Sequence, residues 1–308
     1  MGSIEIWAPA KINLSIDVKG QRDDGYHLVE MVMQTIDLAD KITLTLQEGT
    51  GDGRRIMLHS DLPCLPDDRT NLAYQAAELF LNKLKEDEDV SLEAVPQIAI
   101  AIKKKIPLAA GLAGGSTDAA GVLRGLNRLF GRPFSDKSLQ NFGAQLGADV
   151  PFCLSRGTAL ATGTGIELEE LPVPPATRMV LVNPSFTIST KKVFTGLSWR
   201  EIEVHPPTEK IVRFIKEGVF PPPEILHNVL EDTAMQLYPR LAKYKMVMEQ
   251  LFQVVLMSGS GPTLLGFVTE DRPLEKVAEQ AAEWLNREGL PAKVAVVCTI
   301  GKDFHPGC

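Results

Sequence analysis

The sequence predicts an α+β fold built from two domains. Its 308 residues are about twice the length of an average domain. Strand-like and helix-like patterns are interspersed without the strict alternation of a doubly wound parallel sheet. The proline-rich stretch at 172–175 is typical of a connection between domains. We therefore predict an N-terminal domain over residues 1–172, a C-terminal domain over 173–308, and a ligand site in the cleft between them.

The first domain is predicted to begin with a strand and a turn. Residues 4–18 alternate between apolar and polar side chains, as in a strand with one buried face. Asp23-Asp24-Gly25 is a turn sequence, and Val150 should be extended because Pro151 follows it. The other elements predicted up to residue 172 are strands of a meander over 41–48 and 54–59, a helix from Asn71 to Leu84, a strand over 98–102, a helix through Val122, Leu126 and Phe130, a helix near 136–146 ending at Gly147, and a strand near 157–162.

The second domain shows the same mixture of periods. It contains a second glycine-rich segment, Met257-Ser-Gly-Ser-Gly-Pro262, between two predicted strands. The elements predicted there are a strand near 179–183, a helix over 240–252, strands over 253–257 and 263–268, a helix over 273–288, and a strand over 293–298.

Composition restricts the class of protein. Apolar residues make up 44% of the chain and charged residues 23%, as in ordinary globular proteins. The net charge of −7 argues against a nucleic-acid-binding surface. Four scattered cysteines without a C-x-x-C motif favour reduced thiols, and no signal peptide or membrane-spanning run is visible. We therefore expect a cytoplasmic monomer or homodimer whose partners are small molecules, with no nucleic acid and no membrane.

The segment Pro107-Leu-Ala-Ala-Gly-Leu-Ala-Gly-Gly-Ser-Thr-Asp-Ala-Ala120 is the most informative in the chain. Gly111, Gly114 and Gly115 directly precede a helical pattern, and Ser116, Thr117 and Asp118 are residue types that begin helices. A tight turn before a buried helix is one interpretation. The other is a phosphate cradle, because a helix start presents free N–H groups and partial positive charge. It is neither a Walker P-loop nor a dinucleotide fingerprint.

Three polar residues outside this loop are candidates for chemistry. Lys11 and Asn13 share the polar face of the first strand, where they either line a surface edge or approach phosphate and a reacting oxygen. Asp149 lies between apolar residues, where an aspartate is either a turn former or a general base. Proximity of Lys11 to Asp149 in space would separate these interpretations.

Four segments resemble the motifs of the GHMP small-molecule kinases, and the resemblance extends over nearly the whole chain. They are Pro9–Leu14, the loop 107–120, Gly147–Phe152 and Ser258–Thr263. The resemblance implies a two-domain α+β kinase that uses ATP and Mg²⁺. Three further segments, Asp24–His27, Asp67–Leu72 and the surroundings of Asn228, resemble a branch that phosphorylates a cytidyl diphosphate alcohol.

The resemblance also implies roles for individual residues. Asp149 would accept the proton of the substrate hydroxyl, and Lys11 would stabilise the charge that develops. Ser116 would be the protein ligand of the metal. Alanines 110 and 113 stand where relatives can have glycine. The residues implied to bind ATP are Asn71, Lys104, Pro107, Ala109, Ala110, Gly111, Leu112, Ala113, Gly114, Gly115, Ser116 and Thr117.

The implied substrate site draws on both domains. Tyr26 and Phe194 would pack on the two faces of the cytosine ring, and His27 would bond its polar edge. The full set of residues is Asn13, Tyr26, His27, Thr190, Phe194, Gly259, Ser260 and Gly261. Two other functions stay open: another GHMP kinase, acting on homoserine, mevalonate or a sugar, and a non-catalytic relative that senses a metabolite.

Overall fold

The structure, a computed structural model, describes residues 2–48, 55–88, 96–268 and 272–304. Its strands are β1 Ser3–Gln21, β2 His27–Gln47, β3 Ile56–Ser60, β4 Gln97–Lys103, β5 Thr158–Thr162, β6 Glu167–Leu171, β7 Arg178–Pro184, β8 His227–Asn228, β9 Val254–Met257, β10 Leu264–Phe267 and β11 Ala292–Cys298. Its helices are α1 Leu72–Glu88, α2 Gly114–Leu129, α3 Asp136–Leu146, α4 Val150–Ser155, α5 Thr190–Gly196, α6 Thr208–Lys216, α7 Glu231–Leu237, α8 Pro239–Met248 and α9 Leu274–Arg287.

The predicted mixed fold is confirmed, because helices pack on two separate sheets. The first sheet has the order β3-β4-β2-β1-β8, and β5 and β6 extend it from β2. The second has the order β11-β7-β10-β9, with antiparallel neighbours throughout. The chain changes sheets between Leu171 and Arg178, but β8 returns to pair with β1. The division into domains 1–172 and 173–308 stays a prediction.

The first strand differs from the prediction of a half-buried strand. Residues 8–18 are buried on both faces, including Asn13, Ser15 and Asp17. Asp17 is satisfied by Lys19 and His205, and by the backbone N–H of Val18. Alternation correctly indicated the strand, but it could not show that later parts of the chain cover its polar face as well.

The predicted meander over 41–48 and 54–59 is wrong in its pairing. The first segment is the end of the long strand β2, and β4 pairs with it in antiparallel orientation. The second segment is β3, which lies at the sheet edge and runs parallel to β4. Helix α1 connects β3 to β4, because parallel neighbours need a crossover connection.

Helix α4 overturns the prediction that Val150 is extended. Val150 is the first residue of the helix, and Asp149 before it already has right-handed helical angles. Pro151 occupies the first turn, where its missing N–H breaks no helical hydrogen bond. The preference of a residue before proline for extended conformations is therefore overridden here.

In the described residues, three large apolar clusters and a small one around Met33 and Phe152 form the core. One lies between the first sheet and helices α1 to α4, and a second packs α7, α8 and α9 against the second sheet. A third joins the two halves, because it contains Ile12 and Leu14 of β1, Leu181 of β7 and Leu265 of β10. Ala110 and Leu112 of the glycine loop belong to this shared cluster.

The remaining sequence predictions agree with the structure to within a few residues, except that helix α8 ends at Met248 rather than at 252. The sequence patterns did not indicate β6, β8, α5, α6 or α7. Cys64, Cys153 and Cys298 are free thiols, while Cys308 lies outside the described residues. Among the described residues, each helix is too short or too polar to cross a bilayer.

Candidate active site

Lys11 and Asp149 lie together, as the resemblance implied. The Lys11 Nζ atom is 3.6 Å from Asp149 Oδ2 and donates to Asn13 Oδ1 at 2.6 Å. The Lys11 side chain is 6% exposed and that of Asp149 33% exposed. Asp149 precedes helix α4, but its side chain makes no capping bond. The carboxylate is therefore held by the lysine and remains open to solvent.

Backbone irregularities aim these side chains. The pairing of β1 with β2 shifts register between Pro9 and Lys11, and again between Asn13 and Ser15. Bulges of this kind redirect side chains and are frequent beside active sites. Asn13 also donates its amide to the sulfur of Met31 at 3.6 Å. Lys11 and Asn13 thus reach the site from the interior of a strand rather than from a loop.

The glycine loop places two alanines in left-handed conformations. Ala109 has φ 47° and Ala113 has φ 57°, whereas the φ of Ala110 is not positive. Such a conformation costs an L-residue roughly 1–2 kcal/mol. Backbone strain of this kind is found at functional sites, where the surrounding structure enforces it. Alanine at 113 therefore preserves the loop shape that a glycine would adopt without strain.

The start of α2 carries no side-chain cap. The N-cap residue is Ala113, so the expectation that Ser116, Thr117 and Asp118 begin the helix is wrong. All three lie within its first turns: the Thr117 hydroxyl bonds the Pro9 carbonyl, and Asp118 pairs with Lys104. The amide groups of the first turn therefore have no capping side chain, which suits an anion.

Two buried side chains and one backbone hydrogen bond anchor the glycine loop to the core. Ala110 is 3% exposed and Leu112 1% exposed, so both side chains belong to the core. The Leu112 carbonyl accepts the backbone N–H of Lys11 at 3.2 Å. Ala110 and Leu112, both expected to contact ATP, can therefore do so only through backbone atoms.

The two glycine-rich segments touch through their backbones. The Ser258 hydroxyl donates to the Gly111 carbonyl at 3.1 Å. A Cβ atom on Gly259 would lie 2.9 Å from the same carbonyl oxygen. The Thr190 and Ser260 hydroxyls are 2.8 Å apart, and a cis peptide bond joins Gly261 to Pro262. The second segment, expected to bind substrate, thus forms one surface with the glycine loop.

Asn228 holds the second segment, a role that the motifs did not indicate. It is 1% exposed, and its amide donates to the carbonyls of Met257 and Gly259, both at 2.8 Å. Its Oδ1 accepts the N–H of Leu230 at 3.0 Å. Because Asn228 also pairs with β1 opposite Ile16, it ties the second glycine segment to the strand that carries Lys11.

Lys104 lies in a buried ion cluster. Its ammonium is 2.5 Å from carboxylate oxygens of both Asp40 and Asp118. Burial alone would lower the pKa of Lys104, but the charges of Asp118 and Asp40 outweigh it and raise that pKa. Burial also raises the pKa of Asp118, although Lys104 opposes this shift. The ammonium is thus occupied by protein carboxylates, and direct contact of Lys104 with adenosine stays a prediction.

A cavity of about 390 Å³ opens beside Pro107. Residues 104–108 form one wall, Asn183–Thr187 from the second half of the chain form another, and Lys293 adds a positive charge. The sequence patterns did not indicate this second wall. Asn71 does not line the cavity: its amide donates to the Pro66 carbonyl and its Oδ1 accepts the N–H of Ala73, so its side chain caps helix α1.

Two aromatic side chains meet at the start of β2, whose first residue is His27. The His27 and Phe194 rings are 5.4 Å apart between centroids and tilted by 42°. Burial lowers the pKa of His27. Tyr26 beside it is 67% exposed, and in the part of the chain that the structure describes no ring contact joins Tyr26 to Phe194. Phe194 is thus brought to His27, while a paired position for Tyr26 across a base stays a prediction.

The described residues contain no cluster of three or more His, Cys, Asp or Glu side chains that could hold a metal ion. Ser116, in the first turn of α2, is half-buried and carries a hydroxyl oxygen that could act as one ligand. Magnesium commonly keeps several waters and binds through substrate phosphates with one or two protein oxygens. This donor set therefore fits a nucleotide-bound magnesium ion, but not a site built by the protein alone.

Comparison with known proteins places these features in context. Residues 71–157, which include the glycine loop and Asp149, match the GHMP kinases N terminal domain. A 4-diphosphocytidyl-2-C-methyl-D-erythritol kinase from Bacillus mycoides is 44% identical over 272 residues, which are 88% of this chain and 90% of the relative. The relative of the same name from Bacillus cereus is 43% identical over the same lengths.

Solved structures of GHMP kinases have the same fold. A crystal structure of 4-(cytidine 5'-diphospho)-2C-methyl-D-erythritol kinase is 33% identical, with a TM-score of 0.74, covering 97% of this chain and 100% of the other. Homoserine kinase from Cytophaga hutchinsonii shares the fold, with a TM-score of 0.70 at 18% identity, covering 98% of this chain and 95% of the other.

Proposed function

The chain belongs to the GHMP kinase family, in its 4-diphosphocytidyl-2-C-methyl-D-erythritol kinase branch, and from this premise we propose that it transfers the γ-phosphoryl group of ATP to the 2-hydroxyl of that alcohol. This reaction belongs to the non-mevalonate route to isoprenoid precursors. The observation that carries the proposal is the position of Lys11. Its backbone bonds the phosphate loop at Leu112, and its ammonium lies 3.6 Å from Asp149.

We assign the proton transfer to Asp149. The 33% exposure of its side chain leaves room for a substrate hydroxyl beside the carboxylate, and the ammonium of Lys11 lies 3.6 Å from it. As the hydroxyl oxygen attacks phosphorus, its proton passes to Asp149, and Lys11 stabilises the negative charge that develops. Asn13, which accepts a hydrogen bond from Lys11, would hold the polar chain of the substrate.

We assign the ATP phosphates to the backbone of residues 109–117. The first turn of α2, which has no side-chain cap, and the left-handed Ala113 before it support this assignment, because uncapped N–H groups at a helix start bind anions. Ser116 would complete the coordination of Mg²⁺, which neutralises phosphate charge in such transfers. The adenosine would occupy the cavity beside Pro107, whose walls come from both halves of the chain.

We assign the cytosine to the surface formed by Tyr26, His27 and Phe194. The close approach of Phe194 to His27 supports a nucleobase substrate. Homoserine, mevalonate and sugars have no aromatic ring, so aromatic side chains from two parts of the chain could not stack on them. Lys11 and Asp149 together disfavour a non-catalytic sensor. The cytoplasmic location, the domain boundary at 172 and a monomeric or homodimeric state are parts of the same proposal.

The test is an assay coupled to ADP release. The purified protein is given ATP and Mg²⁺ with 4-diphosphocytidyl-2-C-methyl-D-erythritol, homoserine, mevalonate or a hexose as separate acceptors. We expect turnover with the cytidyl compound alone. Turnover with another alcohol would identify a different GHMP kinase, and ATP binding without turnover on any acceptor would indicate a sensor.

A further inference from the structure

One buried ammonium connects the two ends of the phosphate loop. Lys104 stands just before residues 107–117, and Asp118 follows them directly. The Lys104 side chain is 4% exposed, and its Nζ lies 2.5 Å from Asp118 Oδ2. This ion pair therefore joins the end of strand β4 to the first turns of helix α2.

Asp40, within strand β2, is the second carboxylate that binds the Lys104 ammonium. Its fully buried carboxylate accepts Lys104 Nζ at 2.5 Å through Oδ2. Its Oδ1 accepts the backbone N–H groups of Lys105 at 2.5 Å and Ile106 at 2.9 Å. Asp40 thus binds the chain where it leaves the sheet and turns toward Pro107.

We propose that Lys104, Asp40 and Asp118 are positioning residues that set the width of the phosphate loop. This inference rests on the proposed function in that ATP is the ligand of the loop. Lys104 lines the cavity assigned to adenosine, but its ammonium is bound by the carboxylates of Asp40 and Asp118. The three side chains hold the segment before Pro107 and the N–H groups at the start of α2 at a fixed separation, so that both meet the phosphates together.

The energetics support a geometric role. A buried ion cluster is commonly no more stable than apolar side chains of equal volume, because desolvation offsets the attraction. This cluster has one lysine and two carboxyl groups, and Asp118 Oδ1 has no hydrogen-bond partner among the described residues. Charge-assisted hydrogen bonds do fix distance and direction tightly. An error of about 1 Å in such positions can cost a hundredfold in rate.

The test separates stability from ATP binding. The double variant Lys104→Met/Asp118→Leu replaces the ion pair with apolar groups and leaves Asp40 bonded to two backbone N–H groups. Because the buried Asp40 carboxylate loses its counter-charge, we expect the urea midpoint of this variant to fall, so ATP binding is measured in the absence of urea on protein shown to be folded. We expect its Kd for ATP, measured by calorimetry, to rise about tenfold or more, since the loop is no longer closed. The KM for the cytidyl substrate should stay unchanged.

Two single variants and a control complete the design. Asp118→Asn keeps an acceptor for Lys104 and should restore ATP binding to within about threefold of the wild type, whereas Asp118→Ala should weaken it about fivefold or more. If the double variant does not fold, the difference in ATP affinity between these two single variants decides the question. Lys83→Met removes a surface ion pair with Glu86 and should change nothing.

Folded Asp118→Ala or double variants that bind ATP as tightly as the wild type would overturn the positioning role. A wild-type protein that does not bind ATP would instead overturn the proposed function.

Discussion

The backbone of Gly111 lies directly against that of Ser258. A Cβ atom on Gly111 would come within 2.1 Å of the Ser258 carbonyl oxygen, and Gly111 itself has φ +74°. Both the space and the conformation therefore require glycine. This contact joins two segments far apart in the chain, the phosphate loop of the first half and the Ser258–Gly261 segment of the second.

The first prediction concerns this contact. Gly111→Ala should destabilise the fold by more than the roughly 1–2 kcal/mol of a left-handed alanine, because the loops must also separate. Turnover should fall with it. Gly131→Ala is a matched control, since Gly131 has φ +78° but no atom within 4 Å of its Cβ position. Equal urea unfolding free energies for the two variants would show that the loop contact is unimportant.

The second prediction concerns Ala113, which has the left-handed conformation at the start of α2. Ala113→Gly should raise the free energy of unfolding by up to about 1 kcal/mol, because glycine adopts this conformation without strain. Ala113→Val should lower it and raise the KM for ATP, since β-branched residues fit this conformation poorly. Ala110→Gly is the control: this buried residue lacks a positive φ, so glycine should destabilise there.

The phosphate loop shows how far sequence reasoning reached. Three glycines before a helical pattern indicated the cradle, and the resemblance placed Lys11 and Asp149 at one site. The start of the helix at Ala113 could not be predicted, because residue preferences favour Ser, Thr or Asp as caps. A loop proposed to bind phosphate needs N–H groups without a side-chain cap, which runs against that preference. Departures from local rules are expected at functional sites.

The distant hydrogen-bond partners of Asp40 and Asn228 could not be predicted from the sequence for a different reason. Asp40 stands next to Lys41 and Asn228 next to His227, and nothing in either local sequence indicates which distant groups Asp40 and Asn228 bind. Asp40 meets Lys104 only because β2 and β4 pair, and Asn228 meets Gly259 only because β8 returns to the first sheet. Periodicity describes the face of an element, not its neighbours.

The third prediction concerns Asp149, the proposed general base. Asp149→Asn should lower kcat by about 10²–10⁴-fold, the usual contribution of a general base, with little change in the KM for ATP. Its unfolding free energy should fall modestly, because the buried Lys11 ammonium loses its counter-charge and keeps only Asn13 as a partner, so kcat is compared well below the unfolding transition. Asp136→Asn, in the first turn of helix α3, is the control for loss of a surface carboxylate. Near-normal turnover in Asp149→Asn would exclude the aspartate as the base.

The fourth prediction concerns Asn228. Asn228→Asp places a carboxylate oxygen against the carbonyls of Met257 and Gly259, where the amide donates two hydrogen bonds. Each buried carbonyl left unpaired should cost about 1–3 kcal/mol, measured by urea unfolding. Protonation restores one donor, so the deficit should shrink in acid. Asn286→Asp, near the end of helix α9, is a surface comparison; a variant at 228 as stable as this one would contradict the assigned role.

The last prediction concerns recognition of the base. Stacking of an aromatic ring on a nucleobase contributes about 1–3 kcal/mol, so Phe194→Ala should raise the KM for the cytidyl substrate by roughly 5- to 150-fold while leaving that for ATP nearly unchanged.

Burial lowers the pKa of His27 below its ordinary value of 6.5, so the ring is neutral at pH 7 and presents one donor and one acceptor. As the pH falls through this lowered pKa, the ring gains a proton and loses its acceptor, and the KM for the cytidyl substrate should rise. A uridine analogue, which exchanges donor and acceptor positions on the base, should be a poor substrate because it leaves buried polar groups unpaired. Equal use of the two compounds at pH 7, or a KM that does not depend on acid, would remove His27 from recognition and leave its contact with Phe194 as packing alone.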